Sequence, residues 1–246
     1  MQSIDYLTGP IFHMVHFDNL QSIFLRRALL SKERVVQEAI NYQSIAFETV
    51  QNLRDRIFIW DFSKKAFRSL HSYVPFYFAT HTPMLFVQHK HGIQNEIVIF
   101  EMSRSIIKDP GVLFTDGNAS NQQLAKYTNE VVDIIPAVVS RDSCRRRYRP
   151  SGPNGTNPNR TDFFSDITFL DRLKWDVIND PWSEDSDKIR IRHAEVLVPD
   201  ILPLGRLQGI SVKTQNMVQA VNALSAKCDL EGRIPLAVYK PNLFIQ

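Results

Sequence analysis

The chain has 246 residues, 43% of them hydrophobic and 22% charged, with a formal net charge of +3 at neutral pH. That length suits one large domain, or two small ones, with a sizeable core, and the composition excludes disorder over most of it. So mild a charge makes no case for nucleic acid by itself, and any such case must rest on where the arginines lie.

Residues 11–17, Ile-Phe-His-Met-Val-His-Phe, predict a strand. Asp18 or Asn19 then caps a helix that buries Leu20, Ile23, Phe24, Leu29 and Leu30 and ends near Ser31. His13 and His16 lie three apart, on opposite faces of such a strand, and no cysteine or carboxylate completes a ligand set, so no metal is expected. Residues 33–60 turn helical and charged, with Arg54 and Arg56 readable as a solvated face. The segment 72–78 crowds aromatic side chains around Pro75, a short strand that the proline confines to an edge or a bulge. Thr82 caps a helix with Pro83 in its first turn. Ile97–Phe100 and Val112–Phe114 predict buried strands. Thr115-Asp116-Gly117-Asn118-Ala119 follows as a tight turn that presents backbone N–H groups and short polar side chains, or as an ordinary hairpin loop.

Composition changes at 141–160, where six arginines and Tyr148 are interspersed with proline, glycine and asparagine. No regular element survives that content. Arginine forks with one stacking ring suit a single nucleic-acid strand, and a solvated insertion is the equal alternative. Phe169 to Ile178 reads as a helix passing into an apolar turn, and 183–187 as an acidic loop. The strand-like run Arg192–Pro199 comes next, then Ile201–Leu204, a helix around Lys213–Leu224, and a last strand Leu236–Tyr239 ended by Pro241. The two cysteines, Cys144 and Cys228, form no disulfide framework, which fits a reducing cytoplasm. Neither an export signal nor an apolar run of about eighteen residues is seen, so no membrane span is expected.

Within 192–199, Glu195 demands an explanation. Strand alternation sets it on the same side as His193 and Leu197, opposite Ala194, Val196 and Val198. An edge-strand glutamate with its carboxylate in water is the plain reading. A half-buried one must be hydrogen-bonded or paired, and such placements cluster at functional sites.

The strings FHMVHFDNL at 12–20, SIAFETVQNLRDR at 44–56, YVPFYFATHTPML at 73–85, FTDGNAS at 114–120, SDITFLDRLKWDVI at 165–178 and RHAEVLVPD at 192–200 together resemble the DarT family of DNA ADP-ribosyltransferases. These are toxins of bacterial toxin–antitoxin pairs. The resemblance implies one α+β domain over 1–246, with a split antiparallel sheet around an NAD cleft. It also implies NAD as substrate, transfer of ADP-ribose to thymine or guanine of single-stranded DNA, and an antitoxin partner, a DNA ADP-ribosyl glycohydrolase, that removes the mark. By position Glu195 resembles the catalytic glutamate, and Arg54 or Arg56 the assisting arginine. His13, with His16 and Ser44, would contact NAD; Tyr73 and Tyr77 would line the cleft; Thr115, Asp116 and Asn118 would lie near cofactor or DNA. The arginine-rich insertion departs from the family pattern, and Arg145, Arg146, Arg147 and Tyr148 are its candidate DNA contacts.

The residues suit that chemistry. Loss of nicotinamide leaves positive character on the ribose C1, which calls for a nearby anion and a base for the nucleophile, and one glutamate supplies both. No GxGxxG is present, so a Rossmann site is not expected. Two other readings stand beside this one: a non-catalytic single-strand-binding module, which leaves Glu195 idle, and an ADP-ribosyltransferase acting on protein or RNA through the same cleft. On the first reading, Glu195→Ala is expected to abolish transfer while leaving folding nearly intact.

Overall fold

The computed structural model describes residues 6–61, 66–120, 161–180 and 185–246. Twelve strands occur among them: β1 (Pro10–His16), β2 (Ala28–Leu30), β3 (Phe58–Asp61), β4 (Ala66–Ser69), β5 (Tyr73–Tyr77), β6 (Ile97–Ser103), β7 (Leu113–Thr115), β8 (Phe163–Phe164), β9 (Glu195–Pro199), β10 (Ile201–Pro203), β11 (Leu207–Val212) and β12 (Ala237–Tyr239). The α-helices there are α1 (Leu20–Arg26), α2 (Lys32–Gln37), α3 (Glu48–Arg54), α4 (Pro83–Lys90), α5 (Trp175–Ile178), α6 (Ser186–Arg192) and α7 (Gln215–Lys227).

Eight strands form one sheet in the order β12-β11-β6-β1-β5-β9-β7-β8. Neighbours are antiparallel except β11 with β12, which are parallel. The sheet splits at its middle. β1 pairs with β6 along its whole length and β5 with β9 along its own, yet β1 meets β5 only at Phe12 opposite Tyr77. Pro75 accounts for the split, because it has no N–H to give a ladder. Its carbonyl is taken instead by the His13 ring, Nδ1 lying 2.7 Å away. The expected edge or bulge for Pro75 is therefore corrected: the strand is interior, and the ladder is open beside the proline.

Alternation across the strands makes two unlike faces. Ile11, Val15, Val74, Phe76, Phe100, Phe114, Val196 and Val198 point into the main core, against Leu20 and Phe24 of α1 and Val221 of α7. Fully burying each such side chain stabilises the fold by roughly 1.5–3 kcal/mol. The opposite face carries two smaller clusters, one with Phe12, Met14, Leu85, Ile97 and Ile99, the other with Ile57, Leu70, Tyr73, Leu113 and Leu197. Glu195 pairs in register with Tyr77, so both belong to this second face.

Several sequence expectations change. α1 ends at Arg26, because Arg27 turns left-handed at φ 55°, and Leu29 and Leu30 lie on β2 against β10. Ser31 caps α2 instead of closing α1. The acidic stretch before β9 contains the start of α6, where the Asp185 carboxylate accepts from the N–H groups of Asp187 and Lys188. That helix runs to Arg192, so β9 begins only at Glu195. β11 was not anticipated. Its neighbour β12, α4 with its Thr82 cap, and α7 lie where the sequence places them. The arginine-rich stretch 141–160, with Arg145, Arg146, Arg147 and Tyr148, lies outside the described residues.

Candidate active site

Beside the split a cleft of about 370 Å³ opens, bordered by residues of β1, β5, β9, α3, α4 and the loop between α2 and α3. Small-molecule sites span roughly 300–1,000 Å³, and this one is apolar-walled with a few polar groups, as such sites are. The loop over it is anchored. Asn19 donates to the Gln43 carbonyl at 2.8 Å and accepts from the Gln43 N–H at 2.7 Å, while the Gln88 amide donates to the Ile45 carbonyl at 2.6 Å.

Glu195 is 1% exposed, which overturns the plain reading of a solvated edge glutamate. Its strand is flanked by β5 and β7, so nothing there is an edge. Arg54, at the C-terminal end of α3 and 7% exposed, donates through Nη1 to Oε1 at 3.1 Å and to Oε2 at 3.0 Å. The Ala119 N–H donates to Oε1 at 3.1 Å. A buried carboxylate is tolerable only when compensated in this way. An ionised carboxylate has about four lone-pair sites. Three contacts leave acceptor capacity, chiefly on Oε2.

The turn after β7 supplies that N–H. The Thr115 hydroxyl accepts from the Glu195 N–H at 2.9 Å and donates to the Gly117 carbonyl at 2.7 Å, tying strand to turn. Asn118 closes the turn by accepting from the N–H and hydroxyl of Ser120. Asp116 accepts from the Asp162 N–H at 2.9 Å and faces Arg190 Nη1 at 3.6 Å. Burial pushes the Asp116 carboxyl up to about 6, against the hydrogen bond and the arginine.

The expected site residues divide accordingly. Glu195, Arg54, His13, Ser44, Tyr73, Tyr77 and Asn118 all border the cleft. Arg56, two residues beyond the end of α3, is exposed and outside the cleft lining, whereas Arg54 borders it. His16 also turns away, its Nε2 2.8 Å from the Glu96 carboxylate and its Nδ1 accepting from the Asp18 N–H. Thr115 is fully buried with its hydroxyl spent inside the protein, and Asp116 is held among Arg190 and Asp162, so neither faces the cleft. His193, His71 and Met84 line it without having been singled out as site residues. His193 offered the clearest signal, two positions before Glu195. Its Nδ1 donates to the Ile189 carbonyl at 3.1 Å, and burial pulls its ring down to about 4. Burial likewise lowers His13 and raises the Tyr77 phenol, the latter also because Glu195 is near, so at neutral pH these side chains are uncharged. Among the described residues no group of three His, Cys, Asp or Glu is placed to hold a metal, and no helix is long and apolar enough to cross a membrane.

A family model described as DarT, ssDNA thymidine ADP-ribosyltransferase, matches residues 12–148 and 151–245. The chain belongs to the DarT family. A DNA ADP-ribosyl transferase of Thermus sp. (strain 2.9) is 25% identical over 220 residues, 86% of this chain and 85% of its own. A DNA ADP-ribosyl transferase–DNA ADP-ribosyl glycohydrolase fusion protein of Thermosipho africanus is 25% identical over 131 residues, 53% of this chain but only 32% of the fusion. Among solved structures, Thermus sp. 2.9 DarT in complex with ADP-ribosylated ssDNA superposes with a TM-score of 0.73 at 21% identity, covering 96% of both chains. The same protein in complex with NAD+ gives 0.70 at 21% identity, over 96% of this chain and 97% of that one. The chain thus shares the fold of these DarT structures.

Proposed function

We propose that this chain consumes NAD and transfers ADP-ribose to thymine in single-stranded DNA, with Glu195 as the catalytic residue and Arg54 beside it. The observation that carries the reading is a carboxylate buried at the cleft with two oriented partners and spare acceptor capacity. Family membership supports the reaction class, and the family model's description supports thymine over guanine. The Thermus sp. 2.9 protein, solved with NAD+ and with ADP-ribosylated ssDNA, supports both substrates.

Bound NAD supplies the ADP-ribosyl group. Glu195 places negative charge where the ribose C1 turns positive as its bond to nicotinamide breaks. Thymine carries one ring N–H; its nitrogen bonds to C1, and Glu195 takes the proton, a contribution typically worth about 10²–10⁴-fold. Arg54 donates to both carboxylate oxygens and so fixes where that group points. His13 plugs the split as a neutral ring, and Tyr73 and Tyr77 form apolar floor. Ser44, on the anchored loop, offers a hydroxyl at the rim. A base must leave its stack to reach such a cleft, which favours unpaired DNA.

The whole chain acts as one domain, in the cytoplasm, as the toxin of a toxin–antitoxin pair. Its partner is an antitoxin with DNA ADP-ribosyl glycohydrolase activity, a proposal supported by the Thermosipho fusion of the two. The arginines at 145–147 and Tyr148 grip the strand. Incubation with labelled NAD and separate pools of DNA, RNA and protein tests the assignment. Label on single-stranded DNA is expected, and label confined to RNA or protein would refute it.

A further inference from the structure

Arg190 stands on α6, five residues before Glu195, and its backbone and side chain both reach the turn after β7. Its carbonyl accepts from the Asn118 N–H at 2.9 Å. Its guanidinium donates to Asp187 Oδ1 at 3.0 Å through Nε and to the Thr161 hydroxyl at 3.4 Å through Nη1, and faces Asp116 at 3.6 Å. Between these contacts lies Gly117. A Cβ at that position would run into Nη1 of Arg190 and come within 3.1 Å of its carbonyl oxygen. Gly117 has no positive φ, so space and not backbone conformation demands the glycine. The turn so clamped delivers the Ala119 N–H to Glu195 Oε1.

We propose that Arg190 is a positioning residue for the transfer: seated over Gly117 and gripping Asp116, it fixes the turn that aims the Ala119 N–H at the Glu195 carboxylate. The proposal rests on Glu195 being the catalytic group. Arg190 does not itself border the cleft or contact Glu195; it acts through the turn, whose Asn118 borders the cleft. A misaimed donor leaves the carboxylate free to swing away from Arg54, and small misplacements of this kind cost up to about 10²-fold in rate. The cleft walls from β1, β5 and α4 lie apart from this turn, so KM for NAD should change little.

The test is steady-state transfer from NAD to a thymine-containing single-stranded oligonucleotide, with wild type, Arg190→Ala, Arg190→Lys, Gly117→Ala, Asp116→Asn and the Arg190→Ala/Asp116→Asn double variant assayed together. Arg190→Ala and Gly117→Ala should each lower kcat at least about tenfold with KM for NAD within twofold. Arg190→Lys should recover part of the loss, and Asp116→Asn should add little on top of Arg190→Ala because both act through one clamp. A kcat within twofold of wild type for Gly117→Ala, or a loss confined to KM for NAD, would overturn the proposal. Gly117→Ala and Asp116→Asn retain the arginine, so the test survives if Arg190→Ala fails to fold. An inactive wild type would refute the functional reading itself, a different outcome from an active wild type with active variants.

Discussion

Arg54 Nη1 lies 3.0 and 3.1 Å from the two carboxylate oxygens of Glu195, across 141 residues of sequence and buried in the wall of the cleft. This pair changes the expected behaviour of Glu195→Ala. Deleting the carboxylate strands a buried guanidinium, and breaking a buried pair in this way costs about 3–5 kcal/mol. Glu195→Gln keeps an acceptor for Arg54 and Ala119, so it should fold with a smaller penalty while losing transfer. Urea unfolding of both variants separates them; equal, negligible losses would contradict the burial argument.

Arg54 and Arg56 should part company in the same way. Arg54→Ala leaves Glu195 as an unpaired buried anion and should destabilise the fold by a similar ~3–5 kcal/mol and abolish transfer. Arg56→Ala, at an exposed turn position, should leave the melting temperature and kcat near wild type. A large kcat loss in Arg56→Ala with intact Arg54 would reverse their assignment.

Stability should depend on pH with two opposing contributions. His193 is held at about 4 by burial, below its unfolded value, so its share of stability is full above the unfolded pKa of about 6.5 and is lost as pH falls toward 4. His13 acts in the same direction. Asp116, raised to about 6, has the reverse sign: its share is present below the unfolded value of about 3.9 and is lost as pH rises through 6. Between pH 6.5 and 4, His193→Asn should therefore flatten the acid loss of stability, and Asp116→Asn should steepen it. Thermal unfolding across that range reads both slopes, and matching slopes in the two variants would contradict the assignment.

The arginines at 145–147 make a separate forecast. If they meet phosphates, neutralising all three should flatten the log–log salt dependence of single-strand affinity by roughly two units, at about −0.7 per contact. Affinity should weaken for every sequence alike, with NAD binding unchanged. An unchanged slope would identify the stretch as a solvated insertion.

Local chemistry made much of the frame legible. Apolar and β-branched runs gave β1 and β6, and alternation the two sides of β9; the Thr82-Pro83 start gave α4; the apolar spacing gave α7. β11 was missed because Gly209 interrupts its pattern, a glycine that a bulge and the Glu101 side chain beside it account for. α6 was missed because its acidic start, Asp185 to Asp187, has the composition of a loop when its capping role is unseen. For the site, Glu195 could be singled out as unusual among apolar neighbours, but its burial could not. That depends on Arg54, Ala119 and Thr115, each brought from far along the chain. Likewise, which of Arg54 and Arg56 faces the cleft depends on where α3 stops.

Buried Glu195 is proposed to drive transfer of ADP-ribose to thymine in single-stranded DNA. Labelled NAD should therefore be offered with two single-stranded oligonucleotides, identical except that one has every thymine replaced, to wild type and to folded Glu195→Gln. Label should appear only on the thymine-containing strand and only with wild type. Transfer by Glu195→Gln at the wild-type rate, or equal labelling of both strands, would contradict the account.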